Sequence, residues 1–77
     1  MSSEQVAALN KIIAMVDKKA SEYKNDYMRL TTAQRFAQKK LILDLVDDAT
    51  AIGNAMKPVP AEVLGDLQRL TQELSRL

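Results

Sequence analysis

The chain contains neither cysteine nor histidine, and these two absences remove much of the chemistry that small proteins commonly use. Without cysteine it forms no disulfide and offers no thiolate, and without histidine it lacks the commonest metal ligand and the usual general base. Its serines and threonines therefore have no histidine to activate them as nucleophiles. We expect a protein that is not an enzyme and that takes no cofactor and no small-molecule substrate.

Glycine and proline are also scarce, with two of each in 77 residues, while 47% of the residues are apolar. This composition favours a folded chain over a disordered one. Eleven basic and ten acidic residues give a net charge of +1, which argues against a dedicated nucleic-acid or membrane binder. No stretch approaches the roughly 18 apolar residues of a membrane span, and the first residues lack the features of a secretory signal. We expect a cytoplasmic protein.

The length allows one small domain, which we place over residues 1–77. A single core of this size supplies only about 3 to 5 kcal/mol unless a disulfide, a metal or a second chain reinforces it. Since cysteine and histidine are absent, self-association is the remaining reinforcement. We therefore expect a homodimer.

The first helix is predicted over about residues 3–30, where apolar residues recur every three or four positions, as in a coiled-coil seam. Ser2 and Gln5 fit a capping box at its start. Ala8, Ile12 and Met15 broaden the apolar surface in its first half, which therefore needs two neighbouring helices. The seam consists of Val6, Leu9, Ile13, Val16, Ala20, Tyr23, Tyr27 and Leu30.

The chain is expected to turn at Thr31, which can cap a new helix with Gln34 at its third position. Without glycine or proline nearby, one continuous helix over residues 3–56 is an alternative, because β-branched residues weaken a helix only slightly. Asn25 and Asp26 form a weaker alternative break.

The second helix is predicted over about residues 32–56, with a linker at 57–59 that Pro58 and Pro60 define. Its main apolar stripe runs through Ala37, Leu41, Leu45, Ala49, Ile52 and Met56, and Ile42 and Val46 widen it. Phe36 and Leu43 fall outside this stripe. A third helix over about residues 60–77 carries a seam of Val63, Leu67, Leu70, Leu74 and Leu77.

These elements predict an all-α fold, a three-helix bundle in which a long antiparallel hairpin with coiled-coil-like seams carries a shorter third helix. The third helix starts at the open end of the hairpin and is too short, by its rise per residue, to reach the tip. The tip, about residues 21–37, would then be uncovered, and it holds all three aromatic residues of the chain.

The function we expect is a small helical protein–protein interaction module, of the adaptor, chaperone or inhibitor type, that associates with itself or holds a partner helix. Phe36 and Leu43 are the leading contacts, because a large apolar pair outside the core of a small domain is typical of an interface. Tyr23 and Tyr27 could serve the same patch, although core residues with their hydroxyls at the edge are the simpler interpretation. The predicted partner-binding residues are Phe36, Leu43, Tyr23, Tyr27 and Met28.

An alternative function is the binding of nucleic acid or another polyanion through the tip, where basic residues alternate with aromatic ones. The residues that would carry it are Lys24, Arg29, Arg35, Lys39 and Lys40. A solvated basic face is the simpler interpretation, since no nucleic-acid-binding motif is present. Asp44, Asp47 and Asp48 share one side of the second helix, but one helix supplies too few ligands, and we expect no metal site. We expect Asp47 to pair with Lys39 or Lys40, and Asp48 with a lysine of the first helix.

Overall fold

A computed structural model describes residues 3–77, and over this range the chain is helical without any strand. Helix α1 spans Ser3–Asp26, a short 3-10 turn spans Tyr27–Arg29, α2 spans Thr32–Ala55 and α3 spans Ala61–Ser75. The helices form an elongated bundle of 42 × 19 × 16 Å. The predicted capping box of Ser2 and Gln5 lies partly outside the described residues.

The turn between α1 and α2 is made by the capping box predicted at Thr31. The Thr31 hydroxyl accepts a hydrogen bond from the Gln34 amide at 3.1 Å, and the Gln34 side chain accepts one from the Thr31 amide at 2.9 Å. Both helix-end amides are thereby satisfied, which stabilises the start of α2. The chain is a hairpin, and the continuous helix is wrong. Helix α1 ends at Asp26, the weaker alternative break, rather than near residue 30.

The predicted seam of α1 is confirmed. Leu9, Val16, Ala20 and Tyr23 are buried, and the remaining seam residues pack partly buried against the core. Spacings of three and four residues place these side chains on one side of the helix, where they meet α2 and α3.

The buried side of α2 differs from the predicted stripe. Ile42 is buried, whereas Leu41 is 48% exposed and Ala37 is also exposed. The buried positions are Ile42, Val46, Ala49 and Gly53, followed by Met56 just beyond the helix. The centre of the buried side of α2 is thus rotated by roughly 60 to 80° from the predicted stripe, and Ala49 and Met56 belong to both.

Gly53 is one of the buried positions on this side of α2, and it faces the start of α3. A Cβ atom built at Gly53 would lie 2.8 Å from Leu64 Cδ2 and 3.6 Å from Pro60 Cγ. The start of α3 therefore lies against α2 at Gly53, and a larger residue there would have to displace the end of the Leu64 side chain. Because glycine has no side chain, Gly53 adds nothing to an apolar pattern in the sequence, although Ile42, Val46 and Ala49 of the predicted pattern are buried.

The expectation that α3 stops short of the tip is wrong. The Tyr27 hydroxyl donates a hydrogen bond to the main-chain oxygen of Leu77 at 3.1 Å, and Lys24 Nζ lies 2.5 Å from the Glu73 carboxylate. Because α3 starts beside Gly53 rather than beyond the end of α2, its last turn lies closer to the tip than helix length alone suggests.

The two glycines provide a test of this close approach. Gly65 has open space where a Cβ would stand, so Gly65→Ala should raise the free energy of unfolding by about 0.5 to 1 kcal/mol through helix propensity. Gly53→Ala gains the same propensity but must displace Leu64, and we expect it to be less stable than the wild type. Urea unfolding followed by circular dichroism measures both. Equal stabilisation by the two substitutions would contradict the packing at Gly53.

Candidate functional site

The aromatic residues predicted for the tip form a compact cluster. The rings of Tyr23 and Tyr27 meet edge to face with centroids 5.7 Å apart and planes inclined by 79°. The Arg35 guanidinium lies 4.1 Å from the centre of the Tyr27 ring, and its Nε donates to the Tyr27 carbonyl at 2.8 Å. With Leu77 on the Tyr27 hydroxyl, these contacts hold the tip as packed structure rather than as a free aromatic patch.

The two tyrosine hydroxyls differ in their surroundings. We expected both at the edge of the core, but Tyr23 has no exposed surface and its hydroxyl has no hydrogen-bond partner among the described residues. Burial raises the pKa of Tyr23 above its usual value, and the neighbouring Tyr27 raises it further, while the Arg35 cation lowers it. The interpretation of Tyr23 as a core residue is therefore confirmed, and its hydroxyl contributes no bond to the tip.

The other predicted partner contacts differ in burial. Phe36 is 73% and Met28 is 85% exposed, so both side chains extend into solvent. Leu43 packs partly buried against the core, and it lines one depression together with Phe36. The expectation that Leu43 would find no contact within one chain is wrong, because the rotation of α2 brings it to the edge of the core.

The basic residues predicted for polyanion binding are mostly engaged within the chain. Besides Arg35 on Tyr27 and Lys24 on Glu73, the Arg29 guanidinium lies 3.2 Å from Asp26 and Lys40 Nζ lies 3.0 Å from Asp44. Lys39 has no ion pair among residues 3–77. Each pair reduces the positive potential at the tip, although exposed ion pairs contribute little to stability.

The ion pairs predicted for Asp47 and Asp48 are wrong. Lys40 pairs with Asp44, one turn away, in place of Asp47. Asp47 and Asp48 form no ion pair within the described range. The same residues contain no group of three or more side chains that could hold a metal ion.

A second apolar surface lies along the groove between α1 and α2. Two depressions follow this groove, one beside Ala8 and Ile52 and the other beside Glu22 and Leu41, and no residue of α3 lines either of them. Helical spacing places Ile12, Met15 and Leu45 on the same side of the hairpin, between the two depressions. We call this surface the open face, and its apolar members are Ala8, Ile12, Met15, Leu41, Leu45 and Ile52.

The open face is only half covered by the chain itself. Met15 is 42% and Leu41 48% exposed, while Ile12 and Leu45 are partly buried at the floor of the groove. Helical spacing places these apolar residues on the same side of the hairpin, which distinguishes the surface from apolar residues scattered around the bundle.

The position of α3 explains why this side stays open. Ile13 lines a depression between α1 and α3 together with Val63 and Leu67. Ile12, 100° away around the same helix, faces the other side of the hairpin. The expectation that the broad half of α1 has a second neighbouring helix around Ile12 and Met15 is wrong for residues 3–77: α2 is a neighbour there, but no residue of α3 lines this side.

Within residues 3–77, none of the helices combines the length and the apolar character needed to cross a membrane. Comparison with known proteins finds no matching family model, no matching curated protein and no matching solved structure. The described residues form a small three-helix bundle with exposed apolar residues on the open face.

The two tyrosines can be compared by removing one hydroxyl at a time. Tyr23→Phe removes a buried hydroxyl without a partner, and we expect the free energy of unfolding to rise by about 1 kcal/mol. Tyr27→Phe removes the hydrogen bond to Leu77, and we expect a loss of about 0.5 to 1.5 kcal/mol. Urea unfolding measures both variants. A loss for Tyr23→Phe as large as that for Tyr27→Phe would show that the Tyr23 hydroxyl is bonded in solution.

The raised pKa of Tyr23 also predicts a pH effect. In the unfolded chain this group loses its proton near pH 10, whereas in the folded protein it stays protonated to higher pH. Its contribution to stability is therefore complete below pH 10 and is lost as the pH rises above that value. Wild type should lose stability between pH 9 and 11 more steeply than Tyr23→Phe, which serves as the matched control in urea unfolding. Parallel slopes would contradict the shift.

Proposed function

We propose that this protein is a non-enzymatic protein–protein interaction module of the cytoplasm, of the adaptor, chaperone or inhibitor type. Its contact surface is the open face, on which α-helical segments dock beside α1 and α2. The observation that carries the proposal is the exposure of Met15 and Leu41, which helical spacing places on the side of the hairpin where no residue of α3 lines the two depressions. Helices docked there would bury this apolar surface and complete a bundle that the single chain leaves one-sided.

The size of the protein supports the same proposal. A domain of 77 residues gains little from its own core, so burying the open face would add a substantial share of its stability. Each apolar square ångström removed from water contributes about 25 cal/mol. Half-exposed side chains such as Met15 and Leu41 are where that gain is still available.

The tip supports an interface less well. Phe36 and Met28 are exposed there, but Leu43 is packed on the core and both tyrosines are held by contacts within the chain. Polyanion binding through the tip also has weaker support, since Lys24, Arg29 and Lys40 already have carboxylate partners. The tip therefore serves as the comparison surface in the experiment that follows.

Site-specific photo-cross-linking in the native host tests the proposal. A benzoylphenylalanine placed at Leu41 should form a covalent adduct of defined mass with a protein, identified by mass spectrometry. The same probe at Phe36 on the tip and at Gln72 on α3 provides matched exposed controls. Adding Met15→Gln should reduce the Leu41 adduct several-fold, because the docked helix loses its apolar contact while α1 keeps a good helix former.

Adducts at Phe36 with none at Leu41 would move the interface to the tip and contradict the open face as the contact surface. Adducts at none of the three positions would contradict the proposed function as a whole. Circular dichroism of each purified variant checks that the helices remain folded.

A further inference from the structure

The middle of the open face is edged by lysines on α1 and by aspartates on α2, while Glu4 and Glu22 lie toward the two ends of the α1 edge. On α1, Lys11 and Lys18 lie beside Met15 on the side away from α2, and on α2, Asp44 and Asp48 lie beside Leu45 on the side away from α1. All four side chains belong to exposed residues. Lys11, Lys18 and Asp48 have no ion pair within residues 3–77, and Asp44 has only its exposed pair with Lys40.

The register of the hairpin places these charges at matching heights. Ala8 and Ile52 line one depression, and Glu22 and Leu41 line the other, so α1 and α2 run antiparallel and are aligned to within about one turn. Interpolating along the helical rise puts Lys18 level with Asp44, and Lys11 within about one turn of Asp48. Met15 is level with Leu45 by the same alignment.

Two copies of such a face can pack on each other in two symmetric ways. When the twofold axis runs parallel to the helices, α1 of each copy lies antiparallel on α2 of the other, and heights along the axis are preserved. When the axis runs across the helices, each helix lies antiparallel on its own counterpart. Both arrangements are closed dimers in which the same patch is used twice.

The charges favour the first arrangement. With the axis parallel to the helices, Lys18 of one copy meets Asp44 of the other, Lys11 approaches Asp48, and both edges of the interface are complementary. With the axis across the helices, lysines meet lysines along α1 and aspartates meet aspartates along α2. Like charges brought together at an interface are unfavourable, so the second arrangement is disfavoured.

We propose that the occupant of the open face is a second copy of this chain, related by a twofold axis parallel to the helices. Met15 of each copy then packs on Leu45 of the other, and the two hairpins form a central four-helix layer with α3 on each outer side. The inference rests on the proposed function, because it takes the open face as the contact surface. It adds the identity of the partner and the charge pairs that select it.

Charge reversal tests the inference in the purified full chain. One variant combines Lys11→Glu with Lys18→Glu, the other Asp44→Lys with Asp48→Lys, and sedimentation equilibrium measures the dimer dissociation constant of each. We expect wild type to dimerise and each variant alone to bind itself at least tenfold more weakly, because both edges then carry like charges. An equimolar mixture of the two variants should recover the affinity, since each edge again pairs opposite charges.

A charge-matched control separates this effect from net charge. Asp17→Lys with Asp47→Lys changes the net charge by the same amount as the second variant, at exposed positions outside the open face. This control should stay within about threefold of the wild-type dissociation constant at 0.15 M salt, where distant exposed charges are largely screened. Circular dichroism and thermal melting confirm that every variant remains folded.

Three results would overturn the inference: a wild-type protein that stays monomeric at millimolar concentration, reversal variants that dimerise as tightly as wild type, or a mixture that does not recover affinity. A monomeric wild type that still forms Leu41 adducts with another protein in the host would remove the second copy as occupant and leave the proposed function standing. Loss of both the dimer and the adducts would remove the proposed function as well.

Discussion

The close approach of α3 to α2 at Gly53 is the constraint on which the rest of the structure depends. The end of the Leu64 side chain occupies the space that a Cβ at Gly53 would need, and Pro60 lies in ordinary contact with that position, so the start of α3 packs against α2 there. On α2, Ile42 and Val46 lie in the core and Leu41 is exposed. At its other end, α3 brings Leu77 to the Tyr27 hydroxyl at the tip.

The same contact leaves the opposite side of the hairpin without a third helix. A small bundle gains stability mainly by burying apolar surface, yet here Met15 and Leu41 remain close to half exposed beside a groove floored by Ile12 and Leu45. The uncovered side is therefore the natural place for another helix, and the opposite charges on its two edges favour a second copy of the same surface. In this arrangement, folding and association depend on the same apolar side chains.

Much of the fold was accessible from residue patterns, whereas the candidate site was only partly so. The seam of α1 and the capping box at Thr31 follow from local spacing and local hydrogen bonding, and both are confirmed. The partner contacts predicted at the tip assumed that α3 stops short of it, and Leu43 proved to belong to the edge of the core. The breadth of α1 around Ile12 and Met15 was the signal that could have located the open face.

The sequence by itself determined the helices, the turn at Thr31 and the number of apolar surfaces that need neighbours, because all of these depend on residues within a few positions of each other. Only the tertiary structure decided which neighbour covers which surface. That choice depends on how closely two backbones can approach, and here it rests on a glycine, which has no side chain to add to any apolar pattern. Where α3 lies, and therefore which groove stays open, is a property of packing between distant segments.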